Sequence, residues 1–251
     1  MSTRAKVMFI CFFCVALVLV LAGAFFSVQE TTVEFVMTHQ DGRLFTADEI
    51  TSAADLNGKN ILVISESATA AAVERAVPYA KVEAIERIFP TSVKIYVSQR
   101  VAHFAIWDGE NFVLVDKDGK VLEVADTNKG APIAQGITVS HATPGATIST
   151  QGGGMDKLAV IIRAFGDMQY LGTNFATTVQ SVDFTSEQSC RLVMQSGVAF
   201  EFNGATNLYY QMLSFANWYS VNPDYRESGV ARIVSGSFDQ VSQRFDVVYT
   251  P

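Results

Sequence analysis

Cysteine, histidine and catalytic signatures are what this chain has least of. Of its 251 residues, three are cysteine and three are histidine. Cys11 and Cys14 lie inside an apolar run, where their C-x-x-C spacing lacks the βαβ context of thiol redox chemistry. Cys190 stands alone outside that run, so no intramolecular disulfide staples the rest of the chain. The remainder must be held by an apolar core, and Cys190 reads as a buried strand residue. His39, His103 and His141 fall in separate segments without metal-ligand spacing. No G-x-S-x-G, H-E-x-x-H or Walker loop is present, so no catalytic residue, metal site or cofactor is expected. A Ser/His/Asp set assembled by folding stays open at this level. Basic residues are also scarce: 18 against 25 acidic ones give −7, and because Arg4 and Lys6 precede the run, the part beyond it carries −9. That balance argues against nucleic acid and against docking on anionic lipid, and it favours a soluble surface. There is no internal repeat and no low-complexity tract.

One long hydrophobic run is there. Residues 7–26 contain no charge and no proline. A helix of that length spans about 30 Å, the hydrocarbon thickness of a bilayer. Arg4 and Lys6 on a short flank favour a cytoplasmic N-terminus, with everything after about Ser27 outside the cytoplasm. A cleaved signal peptide is the competing reading, since Ala22-Gly23-Ala24 resembles a cleavage site. The run is long for the apolar part of such a peptide, and it continues into Phe25-Phe26.

Residues 31–38 are β-branched and apolar and predict a strand. Thr46 with Glu49 forms a capping box for a short helix to about Ala54, which Asn57-Gly58 breaks. Residues 60–64 predict an extended piece, and Ser67 a cap for a second helix over 68–77, ended by Pro78. Two strands follow: 82–88, with Val82, Ala84 and Ile88 on one face, and 93–97, with Val93, Ile95 and Val97 alternating against Lys94 and Tyr96. Phe89-Pro90-Thr91 is the turn between them. The order β-α-α-β-β predicts a three-stranded sheet with two helices on one face.

After Arg100 the pattern changes. Short strands are predicted at 104–107, 112–115 and 121–124, the last two joined by Asp116-Lys117-Asp118-Gly119. Asp-Gly suits a tight hairpin, whereas a calcium loop would need about a dozen residues closing on glutamate. Residues 126–154 predict a long loop or irregular strands. Gly152-Gly153-Gly154 lacks the lysine and hydroxyl of a phosphate cradle and reads as a flexible approach to a helix. That helix, 156–171, places Leu158, Ile161, Ile162, Phe165 and Met168 on one face. Strands at 178–184, 191–195 and 198–202 precede a helix over 207–219 with a stripe of Leu208, Met212, Phe215 and Tyr219. Tyr209, Tyr210 and Trp218 add aromatic density best read as core packing, with Tyr210 or Trp218 the candidates for a partner contact. Strands at 231–234 and 244–249 close the chain.

Residues 44–50 (LFTADEI), Gly58 to Leu62, Pro78, the corner Arg87-Ile88-Phe89-Pro90, Arg100, Ala102 and the hairpin 114–121 together resemble the FtsQ/DivIB family of bacterial cell-division proteins. Phe89 stands where that family often has tryptophan, Gln99-Arg100 replaces a common Glu-Arg, and the usual proline after that arginine is missing. The resemblance implies an α+β fold: a cytoplasmic tail (1–6), a single N-terminal transmembrane helix (7–28), a POTRA domain (31–100) and a mostly β domain (101–251) with two amphipathic helices.

It also implies function. Such proteins are non-enzymatic scaffolds of the plasma membrane at the division septum. They bind small single-pass coiled-coil proteins of the FtsB/DivIC and FtsL kinds, and through them influence septal peptidoglycan synthesis by FtsW and FtsI. The expected mode is β-augmentation, a partner segment added to an open sheet edge. In this chain the corresponding stretch is Gln243, Arg244, Phe245, Asp246, Val247, Val248 and Tyr249, where Phe245, Val247 and Tyr249 alternate with Arg244, Asp246 and Val248. No nucleic acid and no small-molecule substrate is implied. The alternatives are a membrane-anchored extracytoplasmic hydrolase and an unrelated POTRA-type protein of envelope assembly.

Overall fold

Local capping and alternation carry the smaller of the chain's two units. In a computed structural model the described residues are 25–36, 42–167, 178–186, 190–204, 206–222 and 228–251, with Met8, 11–14, Leu17 and Gly23 of the N-terminal run. His39 and Met168 lie outside them. The chain divides into Met1–Arg100 and Val101–Pro251. Among the described residues no helix is long and apolar enough to cross a membrane. Most of residues 7–26 fall outside the described set; those within it are helical up to Phe25, with Met8, Phe12, Phe13 and Leu17 exposed, and Phe26 lies in a turn.

In the first unit, β1 (Glu30–Phe35) is followed by α1 (Ala47–Ala54), α2 (Glu66–Ala76), β2 (Ala80–Ile88) and β3 (Ser92–Gln99). The Thr46–Glu49 capping box is formed in both directions, and Asp55 closes α1 in the left-handed region. The cap of α2 is Ser65, not Ser67: the Ser65 hydroxyl accepts from the Ala68 N–H at 3.3 Å, so the helix starts at Glu66. Residues 61–63 form a turn rather than an extended piece, pinned by the Leu62 N–H donating to the Asn60 side chain at 2.9 Å. The sheet order is β1-β3-β2, with β3 parallel to β1 and antiparallel to β2. Val93, Ile95 and Val97 are fully buried, packed with Ile50, Ile61 and Val73. A register shift between Val82 and Ala84 re-aims β2. Val82 and Ile85 therefore face the core, and Ala84 and Ile88 are exposed, the reverse of the simple alternation for those two.

Arg100 closes this unit. Its guanidinium, 8 % exposed, pairs with Glu74 on α2 at 2.9 Å and donates to the Ala80 carbonyl at 3.2 Å. Glu74 also accepts from the Val82 N–H at 3.0 Å, at the register shift. One ion pair thus ties α2 to the bulge and to the end of β3.

The second unit contains β4 (Phe104–Trp107), β5 (Phe112–Val115), β6 (Val121–Ala125), β7 (Ile133–Gln135), β8 (Val139–His141), β9 (Ser149–Thr150), α3 (Gly154–Asp167), β10 (Val179–Asp183), β11 (Cys190–Met194), β12 (Ala199–Phe202), α4 (Leu208–Val221), β13 (Val230–Ile233) and β14 (Val247–Thr250). β8 and β9 form a separate ribbon, and the other strands make one nine-stranded sheet in the order β14-β13-β12-β11-β10-β7-β4-β5-β6. Asp116, buried, accepts from the Asp118 and Lys120 N–H groups at 2.9 and 2.8 Å, which turns β5 into β6. β7, inside the stretch expected to be irregular, runs parallel to both β4 and β10. Gly136 ends it at positive φ, where an added Cβ would strike the Phe184 and Thr185 backbone. Leu158 and Ile161 of α3 and Met212 and Phe215 of α4 are buried with Phe104, Leu192, Phe200 and Phe202 in one core. The stacked Phe200–Phe215 pair, 4.7 Å between centroids, lies within it.

Two outcomes follow. Replacing Glu74 by alanine leaves buried Arg100 without its carboxylate and should destabilise this unit by about 3 kcal/mol, measured as faster amide exchange in β2 and β3; Glu74→Gln should cost less. Burial, with the Asp183 charge next in weight, pushes the Cys190 thiol up from 9.0 to about 12. The unfolded thiol ionises first, so the contribution of this group is intact below pH 9 and is lost as pH rises from 9 towards 12. Alkylation of Cys190 should accordingly track global unfolding, as a time course with iodoacetamide would read.

Candidate partner-binding edge

Among the described residues, two strands of the large sheet have a neighbour on one side only, β6 and β14. The β6 edge is partly taken up. The Val121 N–H donates to the Ala146 carbonyl at 2.9 Å, the Gly145 N–H donates to the Val121 carbonyl at 2.8 Å, and Lys120 bridges Thr147. β14 pairs antiparallel with β13 in the register Val247↔Ile233 to Thr250↔Val230. Just before it, the Val234 N–H donates to the Asp246 carbonyl at 2.9 Å. Alternate residues of an antiparallel strand direct both backbone groups to the neighbour. Asp246, Val248 and Thr250 therefore face β13, and the N–H and C=O of Val247 point away from the sheet.

The expected segment 243–249 is strand only from Val247. Gln243 sits in a turn with φ +53°, and Arg244 bridges back to Asp239. Asp239 organises that turn: its carboxylate accepts from the Val241 N–H and the Ser242 hydroxyl, both at 2.8 Å, and these bonds hold its pKa below the ordinary range. The alternation of 244–249 nevertheless holds. Phe245, Val247 and Tyr249 are half-buried against the core, while Arg244, Asp246 and Val248 are exposed.

Helix α4 supports the strand from within. Trp218 stacks on Tyr249 at 5.3 Å, and the Tyr249 hydroxyl donates to the Ser228 carbonyl at 2.7 Å. Phe245 packs on Phe238 at 4.8 Å, and Phe238 on Tyr210 at 5.7 Å. Ser214, buried, accepts from the Phe245 N–H at 2.8 Å and donates to the Tyr210 carbonyl at 2.8 Å. Gly229, at φ +96°, lies where any Cβ would run into the Tyr249 ring. Trp218 and Tyr210, the candidate partner contacts of the helix, thus brace the edge strand and its preceding turn.

The register also builds a row across the sheet: Asp183 opposite Arg191, Arg191 opposite Glu201, Glu201 opposite Arg232, and Arg232 opposite Val248. Charges alternate in sign, with Arg232 bonded to Glu201 at 2.5 Å, and the row ends at the edge in an uncharged residue. Opposite charges across strands are mildly stabilising, and Val248 presents no like charge to an incoming strand.

Other chemistry-bearing residues serve local structure. The His103 ring lies 3.0 Å from the Val101 carbonyl and the His141 ring 2.9 Å from the Thr143 hydroxyl, each within its own segment. Among the described residues no group of three His, Cys, Asp or Glu side chains could hold a metal ion. A cleft of about 630 Å³ in the first unit carries Asp48 and Glu49, but Glu49 is committed to the α1 cap. Ser214, Gly229 and the charge row were not apparent as functional residues in the sequence. A serine in an apolar helical stripe was the available signal for the first; the others depend on register, which no single segment discloses.

No family model matches this chain. A stretch of 73 residues, 28 % of the chain, is 33 % identical to the cell division protein DivIB of Clostridium acetobutylicum. The match spans 29 % of that protein's length.

Replacing Ser214 by alanine should cost about 1 kcal/mol and loosen the entry to β14. Amide exchange should quicken at Phe245 while β11 and β12 stay protected.

Proposed function

We propose that this chain is a non-enzymatic scaffold of bacterial cell division, of the FtsQ/DivIB kind, acting at the septum. In this reading residues 7–28 cross the plasma membrane from a cytoplasmic N-terminus, 31–100 form a POTRA domain, and 101–251 form the partner-binding β domain. The resemblance of the Leu44–Val121 motifs and the similarity to DivIB over 73 residues support the division role. The β-α-α-β-β order of the first unit is that of the POTRA reading.

The observation that carries the mechanism is the β14 edge, with Val247 turning its backbone groups outward. An extended segment from a small single-pass coiled-coil protein, of the FtsB/DivIC or FtsL kind, adds a strand there. Backbone hydrogen bonds supply affinity, and side chains around Arg244, Asp246 and Val248 supply selection. Bound in this way, the partners are coupled to FtsW and FtsI and so to septal peptidoglycan synthesis. Gln243 to Asp246, folded back in the free protein, flank the added strand rather than pair with it.

Proline tolerates an edge position whose N–H faces out and disrupts one whose N–H is in the ladder. Val247→Pro should therefore keep the thermal unfolding of the parent yet lose small single-pass coiled-coil proteins in pull-downs from solubilised membranes of the source cells. Val248→Pro should unfold earlier because it breaks the β13 ladder. Undiminished capture by a folded Val247→Pro would move the site away from this edge.

A further inference from the structure

The first unit gathers its exposed apolar side chains at one end. Phe25, Leu62, Val63, Ile88 and Phe89 are all exposed, Val63 at 78 % and Phe89 at 55 %. Among the described residues 25–100, Leu44 alone of the exposed large apolar side chains lies elsewhere. The backbone holds these residues together. The Phe26 carbonyl accepts from the Ile61 N–H at 2.8 Å, and Ser27 bridges Asn60, which places Leu62 and Val63 beside the entering chain. The Gln29 N–H donates to the Thr91 carbonyl at 2.8 Å, which brings the β2–β3 turn alongside. The Phe26 ring meets Phe25 at 5.2 Å and Phe89 at 6.3 Å, both edge-on. Arg87 donates to the Ile64 carbonyl at 2.9 Å, closing the cluster from β2.

Isolated exposed apolar residues need no explanation, but a contiguous set with aromatics marks an interaction surface. Its occupant is indicated by what the chain does next. The cluster surrounds the point at which the uncharged run of residues 7–26 joins the folded unit. Two of the flanking acids are paired locally, Glu66 with Arg87 at 3.0 Å and Asp55 with Lys59 at 3.1 Å. Phenylalanine and leucine are side chains that settle at the boundary between headgroups and acyl chains.

We infer that Phe25, Phe26, Leu62, Val63, Ile88 and Phe89 form a collar that inserts into the bilayer interface and seats the first unit on the membrane. This rests on the proposed membrane reading of residues 7–28. The charge of −9 on the part beyond the run opposes electrostatic attraction to anionic lipid, so seating depends on the apolar collar and on tethering by the run. The opposite end of the unit, where the Leu44 N–H donates to Gln99 at 3.1 Å, stays in water. β3 separates the two ends by about 25 Å.

The test uses the full chain with Cys11→Ala and Cys14→Ala; buried Cys190 stays in place. Single cysteines at Val63, Phe89 or Leu44 carry an environment-sensitive nitrobenzoxadiazole dye. Each protein is reconstituted in phosphatidylethanolamine–phosphatidylglycerol vesicles with and without doxyl-labelled acyl chains, and circular dichroism checks its fold. The collar predicts blue-shifted emission quenched by doxyl lipid at positions 63 and 89, and neither effect at 44. If the chain resists alkaline extraction but all three dyes report water, the collar is wrong and the anchor stands. Blue shift without lipid quenching would place a protein surface there and overturn the proposal. A chain released by alkaline washing would overturn the anchor and the collar together.

Discussion

β7 is three residues long, yet it is the strand through which the two halves of the nine-stranded sheet become one. Its parallel pairing with β4 on one side and β10 on the other joins the early hairpins, β4 to β6, to the later strands, β10 to β14. The Ala105 N–H reaches the Pro132 carbonyl at 2.8 Å, one residue before the strand, and the Phe184 N–H reaches the Gln135 carbonyl at 3.0 Å at its last residue. Gly136 is required there because a side chain has no room against the Phe184 backbone. A single open sheet must end in two edges, and unpaired edges are a liability unless covered or used. The loop at 145–147 takes up the start of the β6 edge, at Lys120 and Val121. β14 is the edge that the proposed function assigns to strand addition.

The support beneath β14 suits a surface that must be ordered before a partner arrives. A strand held by one neighbour and by aromatic packing pays less in ordering entropy on binding than a disordered segment would. Trp218, Tyr249, Phe238 and Phe245 provide that packing from the core side, while the backbone groups of Val247 point outward. Augmentation uses backbone groups, so burying the aromatics and binding a partner do not compete. In the smaller unit the Glu74–Arg100 pair has a comparable organising role, fixing α2, the β2 bulge and the end of β3 through three hydrogen bonds.

Much of this architecture was legible where a local signal was complete. The Thr46–Glu49 box, the Val93-Ile95-Val97 alternation and the Asp-Gly hairpin each contain their own cause within a few residues. Strands shorter than a clear period were not legible: Ile133–Gln135 and Ser149–Thr150 offer two or three residues, and their pairing is decided by distant partners. The β2 bulge inverted the faces of Ala84 and Ile85 because one extra residue shifts every later side chain. Ser67 was the expected cap of α2, and Ser65, two residues earlier, holds that place because its hydroxyl accepts from the Ala68 N–H. At the β14 edge the inward and outward residues were legible, but the start of the strand was not. Asp239 captures Val241 and Ser242 and bends the chain before Val247, and that competition of side-chain acceptor with ladder was outside any alternation pattern.

Strand addition at β14 by a membrane-anchored partner is the step on which the proposed function turns. Amide hydrogen exchange, read at single residues on the full chain alone and in the complex recovered from membranes, addresses it directly. If β14 takes up the partner's strand, the outward Val247 N–H exchanges readily in the free protein and becomes strongly protected in the complex, with the β12–β13 amides little changed. Protection appearing elsewhere while Val247 exchanges at its free rate would contradict it.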